Sequence, residues 1–357
     1  MSSKERVRRT FQYERTDRVT IGFETNPEIF KRLCLALGIN NFDMEALYQA
    51  LGVDYRVIRA PYIGKPLFTK APENRRVDPL DGFITRWVAH ESGGYWDFCD
   101  FPLKDAEDEV FDAYPVPSPD DFDYDAALDL AKSYGGAYGL HVGDPGAADV
   151  INTLGRIMSM EDILCHLQMG TESVLGLIER RTDYQIGMME RLIDKCKEHL
   201  DFVWIGEDLG TQIAPMINPA LYRKYIKPVQ KRFADLAAAY DLPIIVHTCG
   251  SSSWAYEDFI EIGIKGVDTL QPEAVNMSPE YLVEHFGGRL NFRGCISTTG
   301  PLAYGTPEQV EAHCQRTLEI MKPTRGYHFA PTHQIQDNTP VENVIAMYNS
   351  AYKYGQY

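Results

Sequence analysis

The 357-residue chain has no apolar run near the roughly 18 residues needed to cross a bilayer, so no membrane span is expected. Positive charge is in short supply. The 35 Lys and Arg stand against 51 Asp and Glu, a formal net charge of −16. Such a chain has no general attraction for nucleic acid or for anionic membranes. It suits a polyanionic substrate only where a local basic pocket exists. Cysteine is sparse: seven residues, scattered and odd in number, do not read as a disulfide framework. The opening stretch MSSKERVRRTFQYERTDR holds no apolar segment, so no secretory signal is expected and a reducing cytoplasm is the expected setting. Low-complexity tracts, long linkers and internal repeats are missing. No G-x-G-x-x-G follows the first strand, which argues against a dinucleotide site.

What is present is an alternation. Strand-like runs cover Val19–Thr25, Asp54–Ala60, Gly136–Val142, Asp201–Asp208, Leu242–His247, Gly266–Gln271, Arg289–Gly294 and Gly326–Pro331. Helical patterns lie between them. The first starts at Asn26 as N-cap with Pro27 at N1, long ones run over about 149–199 and 219–240, and the last begins near Pro340. Eight such units predict a single (β/α)₈ TIM barrel spanning 1–357, with an open doubly wound sheet as the weaker alternative. Residues from about 61 to 117 break the rhythm. GFITRWVAH and GYWDF there read as an antiparallel hairpin in an excursion over one end of the barrel.

In a barrel of this kind the chemistry sits where strands end. Reading that rim places Glu24, Tyr62, His141, Asp144, Glu207, Asp208, Gln212, His247, Cys249, Gln271, Glu273, Cys295 and His333 as candidates. The sharpest local feature is V-H-T-C-G-S. His247 and Cys249 can face one metal if the chain turns at Gly250, and imidazole with thiolate suits Zn²⁺. The plainer reading is a buried thiol beside a hydrogen-bonded histidine. His333 and Cys295 are the candidates for a further ligand. Glu207 and Asp208 can position a substrate or act as general acid and base. One of them can equally cap the next helix or pair with an arginine. Glu24, Gln212 and Gln271 are plausible substrate contacts with equally plain structural alternatives. For His141 a satisfied histidine is the simpler reading. Cys34, Cys165, Cys196 and Cys314 fall in helical segments and read as ordinary thiols.

At these residues the chain resembles the uroporphyrinogen decarboxylase superfamily over essentially its full length. The resemblance is carried by E-R-V-R-R-T-F-Q-Y-E-R-T-D-R-V, G-E-D-L-G-T-Q, N-P-A-L-Y-R-K-Y-I-K-P, H-T-C-G-S and H-Q-I-Q-D-N-T-P-V-E-N-V. It implies the barrel. It also offers two activities. The cofactor-free decarboxylases carry an arginine-containing segment after the first strand, where this chain reads E-T-N-P-E-I-F. The zinc-dependent methyltransferases carry an H-x-C pair, kept here as His247 and Cys249, and a third ligand whose matching position is His333 in place of Cys. The resemblance therefore implies a methyltransferase that exchanges a methyl group with a corrinoid (cobalamin) protein. Its donor would be a small O-methyl compound such as an aryl methyl ether, because a zinc with fewer thiolates is a stronger Lewis acid toward oxygen. The chain lacks the D-x-H-x-x-G signature of a cobalamin module, so the corrinoid would arrive on a separate protein partner. A homodimer is left open.

Overall fold

The computed structural model describes all 357 residues. The strands are β1 (Thr20–Ile21), β2 (Tyr55–Ile58), β3 (Arg76–Val77), β4 (Ile84–His90), β5 (Gly93–Cys99), β6 (Gly139–Gly143), β7 (Phe202–Gly206), β8 (Ile244–His247), β9 (Gly266–Leu270), β10 (Asn291–Ile296) and β11 (Tyr327–Pro331). Eight of them form one parallel sheet in the order β1-β11-β10-β9-β8-β7-β6-β2. Interposed helices surround it, giving the expected (β/α)₈ barrel. β1 and β2 share no ladder. A single aspartate closes that seam: Asp54 donates its N–H to the Ile21 carbonyl at 2.9 Å, and its carboxylate accepts the Ile21 N–H at 2.7 Å.

The acid that closes the seam is buried and therefore needs partners. Asp54 lies 2.6 Å from Arg6 and 2.7 Å from Arg18. Arg6 belongs to the helix Ser3–Phe11, whose N-cap Ser2 accepts the Glu5 N–H. That helix covers the N-terminal end of the barrel. Phe11 packs on Phe202 and His328, with ring centroids 5.2 and 5.0 Å away. Lys4 and Arg8 both pair with the buried Asp201. The charged N-terminal segment is thus the floor of the barrel.

Period-two alternation sorts the strand side chains. Tyr55, Phe202, Trp204 and Ile245 cluster with Val7 inside the barrel, while Val203, Ile205, Ile244 and Val246 join the large apolar core shared with the helices. The excursion holds the expected hairpin, β4 paired antiparallel with β5 from Ile84–Cys99 to His90–Gly93. Its base is tied by Ile63 to Asp121 and by Asp123 to Pro61. The hairpin reaches from the helix Ile151–Met158, where Arg156 lies over the Phe98 ring, to the loop after β11, where His90 is 3.6 Å from Asp337. All seven cysteines are free, and no helix is long and apolar enough to cross a membrane.

Candidate functional site

The residues that gather at the barrel mouth come from β7, β8 and β9. Along β8, Ile245 and His247 turn inward and His247 is the last residue of the strand. The chain then turns at Gly250, whose φ is +69°. A Cβ at this position would come within 2.3 Å of the Gly210 carbonyl, so the turn has room only for glycine. The turn brings the Cys249 sulfur to 3.5 Å from His247 Nε2. Asp208, just past β7, accepts the Cys249 N–H at 2.8 Å and lies 3.9 Å from His247 Nε2. Donor atoms of Asp208, His247 and Cys249 all lie within 4.8 Å of one another.

The orientation of the imidazole is set from behind. His247 Nδ1 is 2.9 Å from Asp268 on β9 and 2.6 Å from the Thr269 hydroxyl. A carboxylate at Nδ1 holds the proton on that nitrogen and turns Nε2 toward Cys249 and Asp208. Asp268 is itself anchored by Arg293 of β10, which also reaches Glu24 at 2.7 Å and lies over the Trp204 ring. Neither Asp268 nor Arg293 stood out in the sequence. The only available sign was a charged residue inside each of two strand-like runs.

Burial disfavours the charged forms of all these groups, and the partners decide the outcome. For Asp268, burial is overcome by Arg293 and His247, which hold its carboxyl far below the usual range. Burial likewise opposes ionisation of Asp208, but His247, the Cys249 N–H and the Asn152 amide hold its carboxyl below its ordinary value. His247 is raised well above the ordinary histidine value because Asp268 and Cys249 outweigh desolvation. Burial pushes the Cys249 thiol up to about 11, with His247 pulling the other way.

The other expected site residues fall in three places. His333 is at the mouth, exposed, its ring centroid 6.4 Å from that of His247. Gln271 donates to Gln212 at 3.2 Å, so the two amides bridge the loops that follow β7 and β9 on the exposed rim. Glu24 faces the lumen as the partner of Arg293.

Four expectations are corrected. Glu207 does not face the mouth. It is 1% exposed and accepts the N–H groups of Val150 and Ile151 at 2.8 and 3.1 Å, at the start of the helix Ile151–Met158. The strand alternation that turns Asp208 inward turns Glu207 out to the helix layer. Burial, with Asp149 beside it, raises its carboxyl well above the ordinary value. Cys295 is equally remote from the mouth. A register irregularity between Phe292 and Gly294, followed by φ +65° at Cys295, re-aims its side chain into the apolar core. His141 sits in the lumen, stacked on Phe202 at 4.8 Å and held neutral by burial, which takes it down to about 3. Tyr62 belongs to the base of the excursion. Its hydroxyl donates to the Lys65 carbonyl and its ring packs on Phe122.

Comparison with known proteins agrees with this architecture. The family model described as uroporphyrinogen decarboxylase (URO-D) matches residues 153–354, more than half of the chain. The chain belongs to the uroporphyrinogen decarboxylase family. Among solved structures it is similar to a methyltransferase from Methanosarcina mazei, with a TM-score of 0.67, 14% identity and 99% of each chain covered. That likeness is one of fold. No curated protein matches the chain. The family match begins at Thr153 and takes in β7 to β11, so it contains the whole Asp208–His247–Cys249 group.

The donor set fits a zinc ion. One imidazole nitrogen, one sulfur and one carboxylate lie within mutual reach, and the imidazole is already fixed by a carboxylate behind it.

Proposed function

We propose that this chain is a zinc-dependent methyltransferase of the uroporphyrinogen decarboxylase family. It moves a methyl group between a small O-methyl compound, such as an aryl methyl ether, and the cobalt of a corrinoid carried by a separate protein. The observation that carries this reading is the convergence of His247, Cys249 and Asp208, with Asp268 behind His247. The Methanosarcina methyltransferase with the same fold supports it.

His247, Cys249 and Asp208 would hold the metal, with His333 facing it across the mouth. Bound there, zinc would supply Lewis acidity toward the ether oxygen. Breaking the methyl–oxygen bond leaves the electron pair on oxygen, and a phenoxide leaves far better once a proton meets it. Asp208 is held ionised and Glu207 points away, so neither is that proton donor. His333, exposed at the mouth, would bring the proton. Asp268 keeps His247 in the tautomer that presents Nε2. The excursion, bent over the mouth from Phe98 to His90, is the surface on which the corrinoid protein would dock.

The cofactor-free decarboxylase alternative has less support. The segment Glu24–Phe30 carries no arginine, and Arg293 in the lumen is already paired with Glu24 and Asp268. Anaerobic incubation of zinc-replete protein with a methoxylated aromatic donor and a cob(I)alamin protein tests the proposal. Loss of the cob(I)alamin absorbance with appearance of the phenol is expected. No methylation across a range of aryl methyl ethers would overturn the donor class, and none with any methyl donor would overturn the methyltransferase reading.

A further inference from the structure

A cavity of about 340 Å³ lies beside the barrel, lined by the ends of β2 and β6, the excursion and the helix Glu172–Cys196. None of Asp208, His247, Cys249 or His333 lines it. Half of its lining residues are apolar, with Phe83, Phe122, Tyr184 and Met188 among them. Its charged residues are three arginines, Arg59, Arg156 and Arg181, against two aspartates, Asp81 and Asp144. The balance is therefore positive, in a chain whose net charge is −16.

Two of those arginines have unused capacity. Arg181 is 5% exposed, and one of its terminal nitrogens pairs with Asp81 at 2.7 Å. The other, Nη1, is buried without any hydrogen-bond partner. Leaving a charged donor unpaired in a buried place is costly, so such a group marks a position where an acceptor belongs. Arg156 lies against the Phe98 ring with no carboxylate within 4.0 Å, although its charge reaches Asp149. Arg59, by contrast, is exposed and already paired with Asp144.

We infer that this cavity is a binding site for a small apolar monocarboxylate, its anion held by Arg181 and Arg156 and its flat body against the aromatic and methionine wall. Guanidinium groups match a carboxylate in geometry as well as charge, and the apolar wall favours one anionic group over several. Such a site would stand whether or not the chain transfers methyl groups. The cavity and the barrel mouth share one element: in the helix Ile151–Met158, Asn152 donates to Asp208 while Thr153 and Arg156 line the cavity.

Calorimetric titration of the full chain with benzoate, benzamide and inorganic phosphate is the test. Saturable binding of benzoate below about 10 mM is expected from a ligand of this size, with benzamide and phosphate failing to bind. Arg156→Gln, which breaks no ion pair, should weaken benzoate by about 10–100-fold, the usual worth of a charged hydrogen bond. Arg181→Lys should do the same while the chain stays folded by circular dichroism. Absence of benzoate binding would overturn the inference. So would equal binding of benzamide, preference for phosphate, or benzoate binding unchanged in Arg156→Gln.

Discussion

Glu207 and Asp208 are neighbours in the chain and serve opposite sides of the barrel wall. Asp208 meets Cys249 and His247 at the mouth, while Glu207 caps a helix behind the strand. Their substitutions should therefore separate. Asp208→Asn should lower bound zinc and kcat with little change in melting temperature. Glu207→Ala leaves the Val150 and Ile151 N–H groups without an acceptor, and should cost about 1–3 kcal/mol of stability while zinc content holds. Metal content, kcat and Tm of the two variants check this. A Glu207→Ala protein with normal Tm and lost turnover would return the acid role to Glu207.

Asp268 is a positioning residue. Asp268→Asn should reduce zinc affinity by about 10–100-fold, the usual effect of losing the group behind a histidine ligand. Competition with a chromophoric chelator measures it. His247 should keep its place, so added zinc should restore turnover, which a merely unfolded variant could not do.

His333 separates metal binding from proton supply. His333→Ala should retain zinc and lower kcat by about 10²–10⁴-fold, the worth of a positioned acid, with KM little changed. Loss of the metal from this variant would place His333 among the ligands, as the family resemblance implies.

The barrel floor has its own test. Asp54→Ala removes the acid that closes β1 against β2 and strands two buried arginine contacts, so a loss of about 3–5 kcal/mol is expected by denaturant unfolding. Asp17 adds a pH signature. The Arg6 side chain holds its carboxyl down to about 2 from an ordinary 3.8. A depressed folded value gives stability that is present above the unfolded value and lost as pH falls through the folded one. The stability gap between the parent chain and Asp17→Asn should thus be steady above about pH 4 and narrow between about pH 4 and about pH 2. A gap that stays constant across that window would show that Asp17 acts through something other than its charge.

The eight-strand alternation was legible because each strand is a short apolar run between turn residues, and the hairpin because its two aromatic segments are so close in sequence. The H-x-C pair was legible because its turn needs Gly250. What could not be read is side-chain direction. Whether Glu207 or Asp208 faces the mouth depends on where β7 ends to within one residue. Cys295 should have followed Arg293 to the inside, but the irregularity in β10 turned it outward. Asp268 and Arg293 support the site from within strands, where a charged residue reads only as an interruption. β1 is shorter than expected, Thr20–Ile21 in place of Val19–Thr25, with an isolated bridge from Thr25 to Ile335 further along.

Elemental analysis of the purified chain, never exposed to a chelator, bears most directly on the central claim that His247, Cys249 and Asp208 form a zinc site. One zinc per chain in the parent protein, falling to near zero in Cys249→Ala of unchanged circular dichroism, is the expected result. Well under one zinc per chain, or a Cys249→Ala protein with its zinc undiminished, would contradict it.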